Sequence, residues 1–208
     1  MGGCKVWELP PNNAPESWFC SVNCLQKWRS DLELANKQIY VSAIWLHWIT
    51  AILLIYMLFW GEGLIKSFGA ETPANPGLHV SLGISILLLG VLRLVWRFMN
   101  QPPADVPMSA WQAKASHALH WLFYAAMILI PLSGMAALDH SIAGKHPEFA
   151  SITYFGLFTV PHYSLSWFGS AHDLLTKLAI GLLIVHVGAA LKHQFWDKDN
   201  LLRRMTPL

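Results

Sequence analysis

An all-α membrane protein, built as a four-helix transmembrane up-down bundle, is predicted by three observations. The 208-residue chain is 54% hydrophobic and only 12% charged, about half the charged fraction of soluble domains, which is roughly 25%. Long windows lack any Asp, Glu, Lys or Arg: Gln38 to Gly61, Thr72 to Leu92 and Ala115 to Leu138. Each is long enough for a helix rising about 1.5 Å per residue to cross the hydrocarbon core. The basic residues then fall on one side of a four-span arrangement. Lys5, Lys27, Arg29, Lys37, Arg93, Arg97, Lys114, Lys192, Lys198, Arg203 and Arg204 share a side, against Lys66 and Lys145 in the opposite loops. That asymmetry places both termini in the cytoplasm.

The predicted spans cover about residues 40–60, 78–98, 116–138 and 171–191. The fourth contains Asp173 and Lys177, which sit at i and i+4 near a helix end, where they pair on one face and a long side chain snorkels. The charge-free window Phe149 to His172 is assigned to a surface loop, because "FGLFTVPHYSLSWFG" is interrupted by Gly156, Pro161 and Gly169. Lipid does not tolerate that much unpaired backbone. A fifth span would also export Arg203 and Arg204 and weaken the charge asymmetry. The first forty residues lack the apolar core of a cleavable signal peptide.

Ionisable groups inside a span mark functional sites, and four histidines match in depth. His172 and His186 are fourteen residues apart in "HDLLTKLAIGLLIVH". They therefore share a helix face within roughly 40° and lie about 21 Å apart along the axis. His47 lies near the cytoplasmic end of the first span, level with His186. His79 opens the second span on the outer side, level with His172. Facing imidazoles on neighbouring helices are what bis-histidine haem iron requires. Two such pairs, one near each surface, make a path for electrons. Gly83 and Gly90 share the face of His79 within roughly 40° and offer room for a porphyrin, although glycines also serve ordinary helix contacts.

The remaining histidines divide by position. His117 and His120, at i and i+3 on the cytoplasmic end of the third span, suit haem propionates or a quinone pocket, or the interface alone. His193, seven residues beyond His186, suits a hydrogen bond to a quinone at the inner surface. His140, His146 and His162 fall in the outer loop.

"SAIWLHWIT", "GLHVSLGISILLLGVLRLVWR", "SHALHWLFYAAMILIPLSGM", "YFGLFTVPH" and "VHVGAALKHQFWDKDNLLRRM" together resemble the bacterial cytochrome b561 family, over about residues 36 to 206, and within it the superoxide oxidase branch. The resemblance implies a bundle enclosing two b-type haems, with the ligand pattern on His47 and His186 (inner) and His79 and His172 (outer). It implies an inner-membrane oxidoreductase passing electrons from superoxide to ubiquinone. An anionic substrate calls for a cationic entrance; Lys66, Lys145, His146 and Lys177 are the basic groups on that side, and such patches steer encounter. No nucleic-acid partner is expected.

Two other functions compete. Similar haem b subunits act as electron conduits between a redox partner and quinone. A membrane metal carrier would instead use the histidines directly.

Residues 1–35 form a separate extension outside the membrane pattern. Cys4, Cys20 and Cys24 resemble the later cysteines of a C-x2-C-x15-C-x3-C zinc ribbon, with Met1 standing at the first position. Three thiolates fall short of the four ligands of a structural zinc site, so a remnant or a disordered tail is the expectation.

Overall fold

A computed structural model describes residues 22–65, 75–100, 108–137, 153–160, 167–199 and 201–206. The helices are α1 (Val22–Ile65), α2 (Pro76–Met99), α3 (Ala110–Ala137) and α4 (Trp167–Lys192). Four helical stretches, Lys37–Leu64, Pro76–Met99, Ala110–Ala137 and Trp167–Asp197, are long and apolar enough to cross a membrane. They cover the four predicted spans except for residue 138 at the end of the third, which lies outside the described residues. The chain separates into one unit up to Ser42 and a second from Ala43 to Leu208. In the first, the described residues are helical from Val22, so residues 22 to 35 of the sequence-defined extension are helical. The thiols of Cys4, Cys20 and Cys24 lie outside the described residues.

The second unit holds the bundle. Its α2 starts where the sequence dictates: Asn75 Oδ1 accepts from Leu78 N at 2.9 Å and Pro76 occupies the first turn, where its missing N–H is no loss. This cap fixes His79 in the opening turn. The core among the described residues is thin, and two of its clusters join the helices. Leu54, Ile86 and Met127 join α1, α2 and α3, while Ala126, Ile130 and Ala179 join α3 to α4. A Cβ on Gly90 would lie 2.9 Å from Met127 Cβ, so this glycine permits close contact between α2 and α3 rather than opening room for a porphyrin. Gly83 does face open space, with nothing within 4 Å of its Cβ position.

Many large apolar side chains point outward. Ile52, Phe59, Trp60, Leu88, Leu174 and Ile184 are all more than half exposed, as suits helices whose outer solvent is lipid.

The predicted surface loop between α3 and α4 folds, in its described part, into a hairpin of β1 (Thr153–Tyr154) and β2 (Phe158–Thr159). Its turn uses Gly156 at φ +76°, which only glycine adopts cheaply. Ser81 of α2, buried, accepts from Phe155 N at 3.0 Å and donates to Gly77 O at 2.7 Å. Val160 packs on Val80 beside it. The hairpin is thus anchored one half-turn from His79. Beyond α4 the chain forms a π-helical turn, His193–Asp197, and a 3-10 turn, Leu201–Met205. Trp48 Nε1 donates to Met205 O at 2.7 Å, which ties this end back to α1 next to His47.

A candidate two-level histidine site

Fourteen residues separate two levels on every helix of the bundle. On α1 the positions are His47 and Gly61, on α2 Arg93 and His79, on α3 His120 and Gly134, and on α4 His186 and His172. Because fourteen steps preserve the face, each helix presents one residue to each level.

At the outer level, the His79 and His172 rings face each other at 6.2 Å between centroids. His79 Nδ1 donates to Gly61 O at 2.9 Å, and His172 Nδ1 donates to Ile130 O at 2.8 Å. Carbonyls only accept, so both rings carry their proton on Nδ1 and keep a free lone pair on Nε2. The neighbours are shaped for this. Gly134 lets α3 touch the His172 ring: a Cβ there would lie 3.0 Å from Cε1 and 3.1 Å from Nδ1. Gly61 does the same for His79, at 3.3 Å from Cε1. Ser133 Oγ, also bonded to Ile130 O at 2.9 Å, lies 3.4 Å from His172 Nδ1.

At the inner level, His47 and His186 face each other at 6.3 Å. His120 comes equally close to His186, at 6.1 Å, so three imidazoles gather there. Arg93 donates to His47 Nδ1 at 3.3 Å, and its guanidinium lies 5.9 Å from the Tyr124 ring centre. The outer rings therefore lean on carbonyl dipoles, while the inner level holds a fixed positive charge.

The outer pair fits haem iron through its free Nε2 atoms. At the inner level Arg93 donates to the Nδ1 lone pair of His47, so that ring would bind iron through Nε2 only once its proton has moved to Nδ1 and Arg93 has let go. Metal–imidazole bonds of about 2 Å on opposite sides put the two ring centres about 6 Å apart, the separation of both pairs. The carbonyl partners on Nδ1 are the outer-shell groups that orient metal-bound histidines.

The other predicted residues sit elsewhere. His117 lies one turn before His120 on α3. His193 opens the π turn, its Nδ1 2.6 Å from Asp199 Oδ2. Lys177, on an exposed face of α4, pairs with Asp173 at 2.7 Å as its i, i+4 spacing predicts. Lys66, Lys145, His140, His146 and His162 lie outside the described residues. Gly61, Gly134, Ile130 and Arg93 were not singled out by sequence reasoning as site residues. The recurrence of the fourteen-residue interval on all four helices is the signal that exposes three of them.

Comparisons with known proteins agree with this architecture. The family model described as prokaryotic cytochrome b561 matches residues 40–208. The chain is 31% identical over 168 residues to cytochrome b561 homolog 2 of Escherichia coli, covering 76% of this chain and 86% of that one. It is 30% identical over 181 residues to the probable superoxide oxidase CybB of Yersinia pestis, covering 83% and 97%. It is 29% identical over 168 residues to cytochrome b562 of Cereibacter sphaeroides, covering 78% and 90%. With the model covering both histidine levels and all but the front of the first span, the chain belongs to the prokaryotic cytochrome b561 family: it is a multi-pass bacterial membrane protein of electron transfer, an oxidoreductase of a haem b family.

Proposed function

We propose that this protein oxidises superoxide on the outer side of the membrane and reduces ubiquinone on the inner side. Two b-type haems would be held by His79 with His172 and by His47 with His186. The observation that carries this reading is the pair of imidazole gaps, 6.2 and 6.3 Å, set fourteen residues apart on α4. The likeness to a probable superoxide oxidase supports the choice of electron donor. The overall reaction balances as two superoxide, one ubiquinone and two protons giving two dioxygen and one ubiquinol.

When bound, haem supplies reversible one-electron chemistry at each level. His79 with His172 and His47 with His186 would hold the irons between paired imidazoles, and the haems would supply electron transfer. Gly61 O and Ile130 O hold the outer rings in one tautomer. Arg93 places positive charge at the inner level, which would stabilise added negative charge there. Lys66, Lys145 and Lys177 would steer the superoxide anion, with the Lys177 charge balanced locally by Asp173. On the inner side, His193, His117 and His120 would face the quinone or the haem propionates. Both termini would be cytoplasmic, as the basic residues argue.

A superoxide generator supplied to the purified protein with a ubiquinone analogue tests this. Quinol should form in the ratio above and stop when superoxide dismutase is added. Quinone reduction only after a reduced protein partner is supplied would instead assign the chain to the electron conduits.

A further inference from the structure

The inner end of α4 carries an arrangement that electron transfer alone does not need. After Lys192 the helix widens into the π turn His193–Asp197, a feature common at functional positions. Lys198 then adopts a left-handed conformation, φ 54°, and the chain folds back so that Asp199 N donates to His193 O at 3.3 Å. The fold-back brings the Asp199 carboxylate onto the histidine it follows by six residues. Oδ2 lies 2.6 Å from His193 Nδ1, while Oδ1 accepts from Leu201 N at 3.1 Å and starts the 3-10 turn. A second carboxylate oxygen, Asp197 Oδ2, lies 3.3 Å from the same Nδ1. Lys192 Nζ already occupies that oxygen at 2.5 Å, standing where a bound cation would have to sit. The trio therefore works as a hydrogen-bonded cluster around one imidazole.

A carboxylate only accepts, so Nδ1 of His193 keeps its proton and the exchangeable position is Nε2. The histidine side chain is only 12% exposed. It follows His186 by seven residues, within about 20° of the same face and about 10 Å further towards the inner surface. The adjacent Gln194 buries its amide oxygen without a donor, an acceptor suited to a hydroxyl group.

We infer that Asp199 is a positioning residue that holds His193 in the tautomer and orientation needed to protonate ubiquinone from Nε2. The inference rests on the placement of quinone at this end of the bundle. In each of two turnovers, one electron reaches the quinone through the protein. As it does, the Nε2–H bond of protonated His193 breaks and an O–H bond forms on a quinone oxygen. The ring is left neutral with its proton on Nδ1, still held by Asp199, and takes its next proton at Nε2 from water at the inner surface. Asp199 itself gives up nothing.

Asp199→Asn separates this role from the cap. Asparagine retains an oxygen for Leu201 N, but its amide donates to His193 Nδ1 and so forces the ring proton onto Nε2. In the full-length protein with its haems, ubiquinol formation should fall by about 100-fold, within the range for misdirected general acids. The KM for ubiquinone and the rate of haem reduction by superoxide should stay near wild type. The 15N spectrum of His193 should move from the Nδ1-protonated to the Nε2-protonated tautomer. Asp199→Glu should recover part of the rate. His193→Gln should lose as much as Asp199→Asn, with the double variant no slower than either, because residues acting as a unit are not additive.

Normal ubiquinol formation by Asp199→Asn alongside a slow His193→Gln would overturn the role of Asp199 and leave the quinone placement standing. Normal rates in His193→Gln would remove the quinone placement, and this inference with it. Haem loss or slowed haem reduction in Asp199→Asn would reduce Asp199 to a cap.

Discussion

Purified His186→Leu protein should contain one b-type haem per chain instead of two, with the remaining haem spectroscopically intact. His186 is the shared neighbour at the inner level, 6.3 Å from His47 and 6.1 Å from His120, and leucine offers no lone pair to iron. The outer pair lies about 21 Å away along α4 and draws its support from Gly61 O and Ile130 O, so it should survive. Superoxide-driven quinone reduction should drop by more than about 100-fold, since even outer-shell partners of metal ligands are worth about 10- to 100-fold. His47→Leu should behave in the same way. His120→Leu should keep both haems, because the matching of levels pairs His186 with His47 and leaves His120 a neighbour. A difference spectrum together with a haem assay on the three proteins checks this. Two haems in His186→Leu would break the ligand assignment, and loss of the inner haem in His120→Leu alone would move the axial bond from α1 to α3.

The second large effect is steric. Gly134→Val should eliminate the outer haem and spare the inner one. A Cβ at this position already lies 3.0 Å from His172 Cε1, and valine adds two methyl groups beyond it. The ring cannot yield without losing its 2.8 Å bond to Ile130 O and its contact with Ser133. Gly134→Ala should be milder: the ring must give by only a few tenths of an ångström, and haem is retained with a weakened outer site. Outer-haem occupancy in the two variants, read against the inner haem as internal standard, should follow the order wild type, alanine, valine. Full outer occupancy in Gly134→Val would show that α3 does not set the position of His172.

How far the sequence carries towards this site depends on whether a feature is local to one helix. The spans were legible because hydropathy and charge are properties of single segments. The hairpin region was legible as something other than a span because Gly156, Pro161 and Gly169 break it. The four depth-matched histidines were legible because α4 carries two of them fourteen residues apart, and an up-down bundle fixes which neighbours share their levels. Gly90 was not, because the same glycine pattern serves a porphyrin or a packed helix, and only the contact with Met127 decides between them. The closeness of His120 to His186, the carbonyl of Ile130 and the charge of Arg93 depend on helix rotation, which no single segment encodes. Asp199 was invisible for a different reason. Its approach to His193 requires a π turn and a left-handed Lys198, and nothing in the sequence "HQFWDKDN" marks that fold-back.

The central claim is that each of two levels in one bundle holds an iron between paired histidines. Its most direct test is the amount of haem b bound per polypeptide in the purified wild-type protein, measured by conversion to the pyridine haemochrome. The two imidazole pairs predict two haems per chain. One haem per chain would contradict the two-level assignment, and none would remove the electron path altogether.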